Sequence, residues 1–162
     1  MKIKQIEEGD YSELCRIYLE GIATGNATFQ STAPGWKEWD EGHLQRCRIC
    51  VVEENNMLGW AALTPVSGRC VYAGVAEVSI YVDTAHRGKG IGKLLLWELI
   101  YQSELSGIWT LQAGIFPENI SSVQLHEKCG FRVIGYRERI GKMNGAWRDN
   151  LILERRSKTV GV

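Results

Sequence analysis

No stretch of the sequence approaches the roughly 20 consecutive apolar residues that a membrane-spanning helix needs. The opening segment, MKIKQIEEGD, also lacks the apolar run of a secretory signal, so a cytoplasmic protein is the expectation. Net charge is missing too. Lys plus Arg number 19 and Asp plus Glu number 19. That balance argues against a general nucleic-acid or membrane-surface binder, whose footprint is strongly basic. Histidine is scarce, and His43, His86 and His126 show no metal-ligand spacing. The five cysteines are an odd number in a chain that does not need staples. Cys47 and Cys50 have C-x-x-C spacing, but there is no second such pair and only His43 lies nearby, so they read as ordinary thiols. There is no internal repeat and no linker. The chain has 162 residues, 44% of them apolar, which suits one domain with a substantial core and rules out a disordered chain.

The pattern that is present centres on Asp83 to Leu96, DTAHRGKGIGKLLL. A β-like run, Val78 to Val82, enters it. A periodic apolar segment with Leu94, Leu95 and Leu99 leaves it. Between them Gly88, Gly90 and Gly92 alternate with Arg87, Lys89, Ile91 and Lys93. A strand, a glycine-rich turn and a helix seat an anion on backbone N–H groups, helped by the partial positive charge of the helix N-terminus. The spacing is not G-x-x-x-x-G-K-[ST], because Lys93 is followed by Leu94. Nor is it G-x-G-x-x-G, because Gly88-Lys89-Gly90 is followed by Ile91-Gly92-Lys93.

Around this centre the period predicts a strand at 2–6, a helix from Asp10 to about Ile22 and a second helix at 36–45. A hairpin follows, with strands at 49–53 and 57–64 about the turn Glu54-Asn55-Asn56. A long strand is expected over 70–82, interrupted at Gly74, with Val78, Ile80 and Val82 on one face and Glu77, Ser79 and Tyr81 on the other. The helix after the glycines should run to about Glu104. Beyond it come a strand at 108–114, a helix at 121–128 closed by Gly130, and strands at 131–140 and 146–155 about a turn at 141–145. Residues 156–162 read as a loose tail. Helices alternate with strands early and late, and hairpins fill the middle, which predicts an α/β (α+β) architecture with a mixed sheet.

Arg87, Gly90 and Gly92 fit R/Q-x-x-G-x-G/A, and in that respect the loop resembles the acyl-CoA pyrophosphate loop of the GNAT N-acetyltransferase superfamily. The resemblance extends in order over nearly the whole chain, to the phosphinothricin acetyltransferase branch that also holds amino-acid N-acyltransferases acting on methionine sulfone and methionine sulfoximine. It is carried by Asn26-Ala27-Thr28-Phe29 with Trp39, by Ala76 to Val82, by His86 to Gly92, by Asn119 to Ser122, by Leu125 to Phe131, and by Gly145 to Asp149. Cys129-Gly130 replaces the more usual Leu-Gly.

The resemblance implies a mostly antiparallel sheet of about seven strands flanked by about four helices, acetyl-CoA as acetyl donor, a small-molecule amine acceptor and a homodimer. It implies that Val78, Ile80, Val82, the loop Arg87 to Lys93, Asn119 and Ser122 hold the donor. Direct transfer needs a neutral amine, so a base is required. Glu77 is that candidate, with burial expected to raise its pKa toward neutrality. Its plainer reading is a strand glutamate paired to an arginine. His126 is the second candidate for proton handling. Its plainer reading is a helix histidine hydrogen-bonded in the core. Tyr136 is an alternative group near the thiol. Phe29, Arg69, Tyr72, Tyr81 and Trp147 are the candidates for acceptor binding, with Trp147 and Asp149 near the subunit interface. His86 is expected to face solvent. A polyamine, an aminoglycoside or a peptide N-terminus as acceptor, and a non-catalytic acyl-CoA-binding domain, stay open on the sequence.

Overall fold

Period-two alternation in the sequence becomes one seven-stranded sheet in a computed structural model that describes residues 1–162. The strands are β1 (Lys2–Gln5), β2 (Arg48–Glu53), β3 (Asn56–Pro65), β4 (Val75–Val82), β5 (Thr110–Ile115), β6 (Arg132–Met143) and β7 (Ala146–Arg156). Their order is β1-β2-β3-β4-β5-β7-β6. Only β4 and β5 pair in parallel; every other neighbouring pair is antiparallel. The helices are α1 (Tyr11–Ala23), α2 (Trp36–Gly42), α3 (Ile91–Leu105) and α4 (Ile120–Lys128). This is the mixed, mostly antiparallel α/β fold that the resemblance implied.

The sheet separates two cores. On one face Ile49, Val51, Leu58, Ala61 and Leu63 pack with Leu95, Leu96 and Leu99 of α3. On the other, Leu14 and Ile17 of α1 and Trp39 of α2 cover Cys50, Met57, Trp60 and Ala62. Cys47, just before β2, lies in the first core, and Cys50, on β2, lies in the second. The two thiols therefore lie on opposite sides of the sheet, and all five cysteines are free. No helix is long and apolar enough to cross a membrane.

Several boundaries move for identifiable reasons. The strand expected from Cys70 begins at Val75; Cys70–Tyr72 form an exposed 3₁₀ turn. The break falls at Gly74, whose carbonyl accepts from the N–H groups of Trp109 and Thr110 at 2.8 and 3.0 Å, so the chain leaves the ladder there. The second helix stops at Gly42 because His43 is extended; its Nδ1 donates to the Trp39 carbonyl at 2.6 Å. The last hairpin closes on two residues, Asn144 and Gly145, both at positive φ, as the tightest hairpin turn requires. The expected loose tail is held instead. Ser157 is buried and donates to Glu104 Oε1 at 2.9 Å, and Arg156 donates to the carbonyls of Val160 and Gly161.

Candidate active site

Parallel pairing between β4 and β5 lasts three rungs, from Val75↔Thr110 to Glu77↔Gln112. Both strands continue, β4 to Val82 and β5 to Ile115, each still paired to its outer neighbour. The sheet thus opens into a wedge beyond Glu77. Backbone donors and acceptors on the inner edge of β4 have no strand partner there and suit an extended ligand bearing amides.

The wide end of the wedge meets the glycine-rich loop. Asp83 starts it: its carboxylate accepts from Ala85 N and from His86 Nδ1, and pairs with Arg16 of α1 at 3.4 Å. Burial would push this carboxyl up, but the His86 and Ala85 hydrogen bonds and the Arg16 charge outweigh it and hold it below the ordinary range. Gly88 and Gly90 take φ of 75° and 84°, which L side chains resist. Gly90 caps α3 without any side-chain hydrogen bond, so the first N–H groups of the helix stay free for an anion. Arg87, Lys93 and Lys128 line the resulting cleft of about 700 Å³. His86, expected in solvent, also lines it and is half-buried through its 2.6 Å contact with Asp83.

A second cavity, of about 490 Å³, continues from the first. The two share Asn26, Ala27, Ile80, Tyr81, Asn119 and Ser122. Glu77 lines this inner cavity from β4, half-buried, and accepts from Gln112 Nε2 at 2.9 Å. It has no arginine partner. His126 lines the cavity from α4 and is 2% exposed. Its Nδ1 lies 2.8 Å from the Ser122 carbonyl, which can only accept, so Nδ1 carries the proton. Nε2 is then an acceptor, and it is buried without a partner. Burial lowers the His126 pKa and keeps the ring neutral. Tyr81 stands at the junction of the two cavities, stacked on Trp60 at 5.0 Å and edge-on to Tyr18 at 4.9 Å. Burial raises its pKa, so the hydroxyl stays protonated.

Residues 26–30, beyond α1, form one wall of this inner cavity. Arg148 of β7 donates to Gly25 O at 2.8 Å and to Asn26 Oδ1 at 2.7 Å. Asn119 caps α4 through Ser122 N and donates to Asn26 O at 3.1 Å. Phe29 meets Phe116 edge-on at 4.8 Å and lies against Gly141, where a Cβ would fall 2.8 Å from its ring.

Most of the residues singled out in the sequence line these cavities. Glu77, Val78, His126 and Phe29 line the inner one. Ile80, Tyr81, Asn119 and Ser122 line both. Val82, Arg87, Gly88, Gly90, Ile91, Gly92 and Lys93 line the outer one. Lys89 is exposed and lines neither. Three acceptor candidates also fall outside both. Arg69 and Tyr72 stack on each other at 5.5 Å in the exposed turn before β4. Trp147 is 57% exposed beside Lys142, beyond the end of the inner cavity. Tyr136 points away as well, bonded to Asp149. The sequence reading missed Gln112, which register alone brings to Glu77, and missed Arg137, Ile140 and Asn150 of the last hairpin, which all line the inner cavity. Lys128 sits inside a quoted motif and shows one signal, a basic residue in the last turn of α4.

Residues 10–131 match the Acetyltransferase (GNAT) family. The chain is 36% identical to YwnH of Bacillus subtilis over 160 residues, covering 96% of this chain and 98% of that one. It is 36% identical over 156 residues to the L-methionine sulfoximine/L-methionine sulfone acetyltransferase of Pseudomonas aeruginosa, covering 91% and 89%. Its fold superposes with a TM-score of 0.87, at 27% identity, on the phosphinothricin acetyltransferase of Sinorhizobium meliloti solved in complex with acetyl-CoA, covering 99% of this chain and 90% of that one.

Proposed function

Because the chain belongs to the GNAT acetyltransferase family and uses acetyl-CoA to acetylate small amines, we propose that its acceptor is the α-amine of a small amino acid or analogue of the methionine sulfone, methionine sulfoximine or phosphinothricin type. The observation that carries this reading is the continuity of the two cavities, with Glu77 at the inner end and the glycine-rich loop at the outer. The 490 Å³ inner cavity, walled on one side by residues 26–30, is of a size that suits a small molecule.

Acetyl-CoA supplies the acyl group as a thioester already activated for attack. The chain supplies the seat, the base and the enclosure. The free N–H groups at the start of α3, with Arg87, Lys93 and Lys128, hold the pyrophosphate. The unpaired inner edge of β4 from Val78 to Val82 aligns the amide-bearing arm, and Asn119 and Ser122 face it across the wedge. Glu77 accepts the proton that the acceptor ammonium must lose, directly or through one water, and Gln112 orients its carboxylate. Neutral His126 forms part of the cavity wall, its Nδ1 proton given to the Ser122 carbonyl and its Nε2 enclosed behind the surface. Tyr81, common to both cavities and kept protonated by burial, is a hydroxyl donor at their junction. Phe29 closes the apolar side.

The chain acts as a homodimer in this reading. Val133 and Ile134 of β6 and Trp147 of β7 are each 44% or more exposed, apolar side chains toward the sheet edge that a second copy would cover. Sedimentation velocity tests the dimer. An amino-acid panel with acetyl-CoA, read by free-thiol release, tests the reaction. Methionine sulfone or phosphinothricin should be turned over and a peptide N-terminus should not. Glu77→Gln should keep CoA binding and lose turnover by about 10²-fold or more. The opposite substrate preference, or full activity in the variant, overturns the assignment.

A further inference from the structure

The inner cavity is lined by one carboxylate, Glu77, and by one cationic side chain, Arg137. They come from different halves of the parted sheet, Glu77 from β4 and Arg137 from β6. Resting on the amino-acid reading above, we propose that Arg137 binds the α-carboxylate of the acceptor and is the residue that selects amino acids over plain amines.

The β6–β7 ladder shows how Arg137 is delivered. Arg137 pairs with Asn150 and Gly141 pairs with Arg148, so four steps along β6 oppose two along β7. The extra residues form a bulge with Arg139 at φ 46°. Asp149, the residue opposite, holds it: one carboxylate oxygen accepts from Arg139 N at 2.7 Å and the other from the Tyr136 hydroxyl. The bulge lets Arg137, Ile140 and Gly141 all line the cavity, a set that a regular period of two would split between faces.

Nearby guanidiniums are committed. Arg148 holds Gly25 and Asn26, Arg139 pairs with Glu138, and Arg132 pairs with Glu154. Arg137 makes no ion pair or hydrogen bond within the chain, so its planar fork is free for a bidentate carboxylate. One negative and one positive group in a small cavity complement an α-ammonium and an α-carboxylate. A polyamine would leave the guanidinium facing a like charge.

The test compares methionine sulfone with its decarboxylated amine in wild type, Arg137→Met and Arg137→Lys. Wild type should prefer the acid. Arg137→Met should raise KM for the acid by about 30-fold, and should raise rather than lower kcat/KM for the plain amine, which no longer faces a like charge. Arg137→Lys should fall between, as a point charge without the fork. Asp149→Asn, at a positioning residue, should raise KM for the acid more than it lowers kcat. Equal losses on both substrates, or none, overturn the assignment. Calorimetry with N-acetyl methionine sulfone and CoA gives a readout free of turnover: binding by wild type and its loss in Arg137→Met support the proposal. Acetylation of both amines by wild type without discrimination sinks the role of Arg137 while acetyl transfer stands. Turnover of neither methionine sulfone nor its decarboxylated amine above the amine-free rate sinks the amino-acid reading and this inference together.

Discussion

Gln112 Nε2 donates to Glu77 Oε2 at 2.9 Å on the last rung where β4 and β5 still pair. The amide sets the direction of the carboxylate at the point where the sheet opens. A hydrogen bond to a charged group contributes roughly 1.5–3 kcal/mol. Gln112→Leu keeps the volume and removes the donor, so kcat should fall about tenfold or more. CoA affinity should hold. Steady-state kinetics beside calorimetry check this, and wild-type kcat in the variant would remove the bond from the mechanism.

The glycine-rich loop predicts a binding defect more than a folding defect. Gly90 sits at φ 84°, where a Cβ costs roughly 1–2 kcal/mol, and open space surrounds it. Relief of that strain would turn the free N–H groups of α3 away from the anion. Gly90→Ala should weaken CoA binding about tenfold or more and lower the denaturation midpoint only modestly. An unchanged Kd would mean that the anion sits elsewhere.

Two glycines with similar clearances should behave differently. A Cβ at Gly59 falls 2.8 Å from the backbone oxygen of Tyr81 and 3.0 Å from Leu95. Backbone cannot swing aside, so Gly59→Ala should cost about 1–3 kcal/mol in urea denaturation. At Gly141 the contact is the far edge of the Phe29 ring, which can rotate. Gly141→Ala should leave stability within about 1 kcal/mol of wild type and raise the acceptor KM as Phe29 shifts into the cavity. Equal destabilisation by the two would contradict this account.

His126 predicts a pH dependence of stability with a definite sign. Burial lowers its pKa from 6.5 in the folded chain. Below that value the unfolded chain takes up a proton that the folded chain does not, so the contribution is whole above 6.5 and declines as pH falls from there toward the folded value. Within that window the slope is at most about 1.4 kcal/mol per pH unit. His43, lowered by burial and by the Arg48 charge against the opposing hydrogen bond to the Trp39 carbonyl, adds a share of the same sign. His126→Asn, whose amide can still donate to Ser122, should flatten but not abolish the fall between neutral and mildly acid pH. Denaturant melts across that range check it.

The parts of the site that the sequence displayed are those set by local order. Arg87, Gly88, Gly90 and Lys93 are neighbours in the chain, and a strand before them and a helix after them suffice to place them. Glu77 and His126 were visible as polar residues in apolar surroundings. Gln112 and Arg137 were not, because each depends on a pairing between distant strands: one on the parallel register of β4 with β5, the other on a bulge against β7. Arg69 and Tyr72 lie outside both cavities for the complementary reason. The expected strand over 70–82 carries Tyr72 toward the site with Arg69 in the loop just before it, but the chain joins the ladder only at Val75, after Gly74 bonds Trp109 and Thr110.

The short joint between β4 and β5 also shapes how the empty and loaded forms differ. Three rungs connect a plate of four strands to a plate of three, with α3 and the first core lying across both. A ligand lying along β4 and touching Asn119 and Ser122 would rivet the plates where their own stitching is sparse. At about 100 times its Kd such a ligand adds about 2.7 kcal/mol of stability. Slowed amide exchange should then concentrate along the inner edges of β4 and β5, leaving the paired outer strands much as they were.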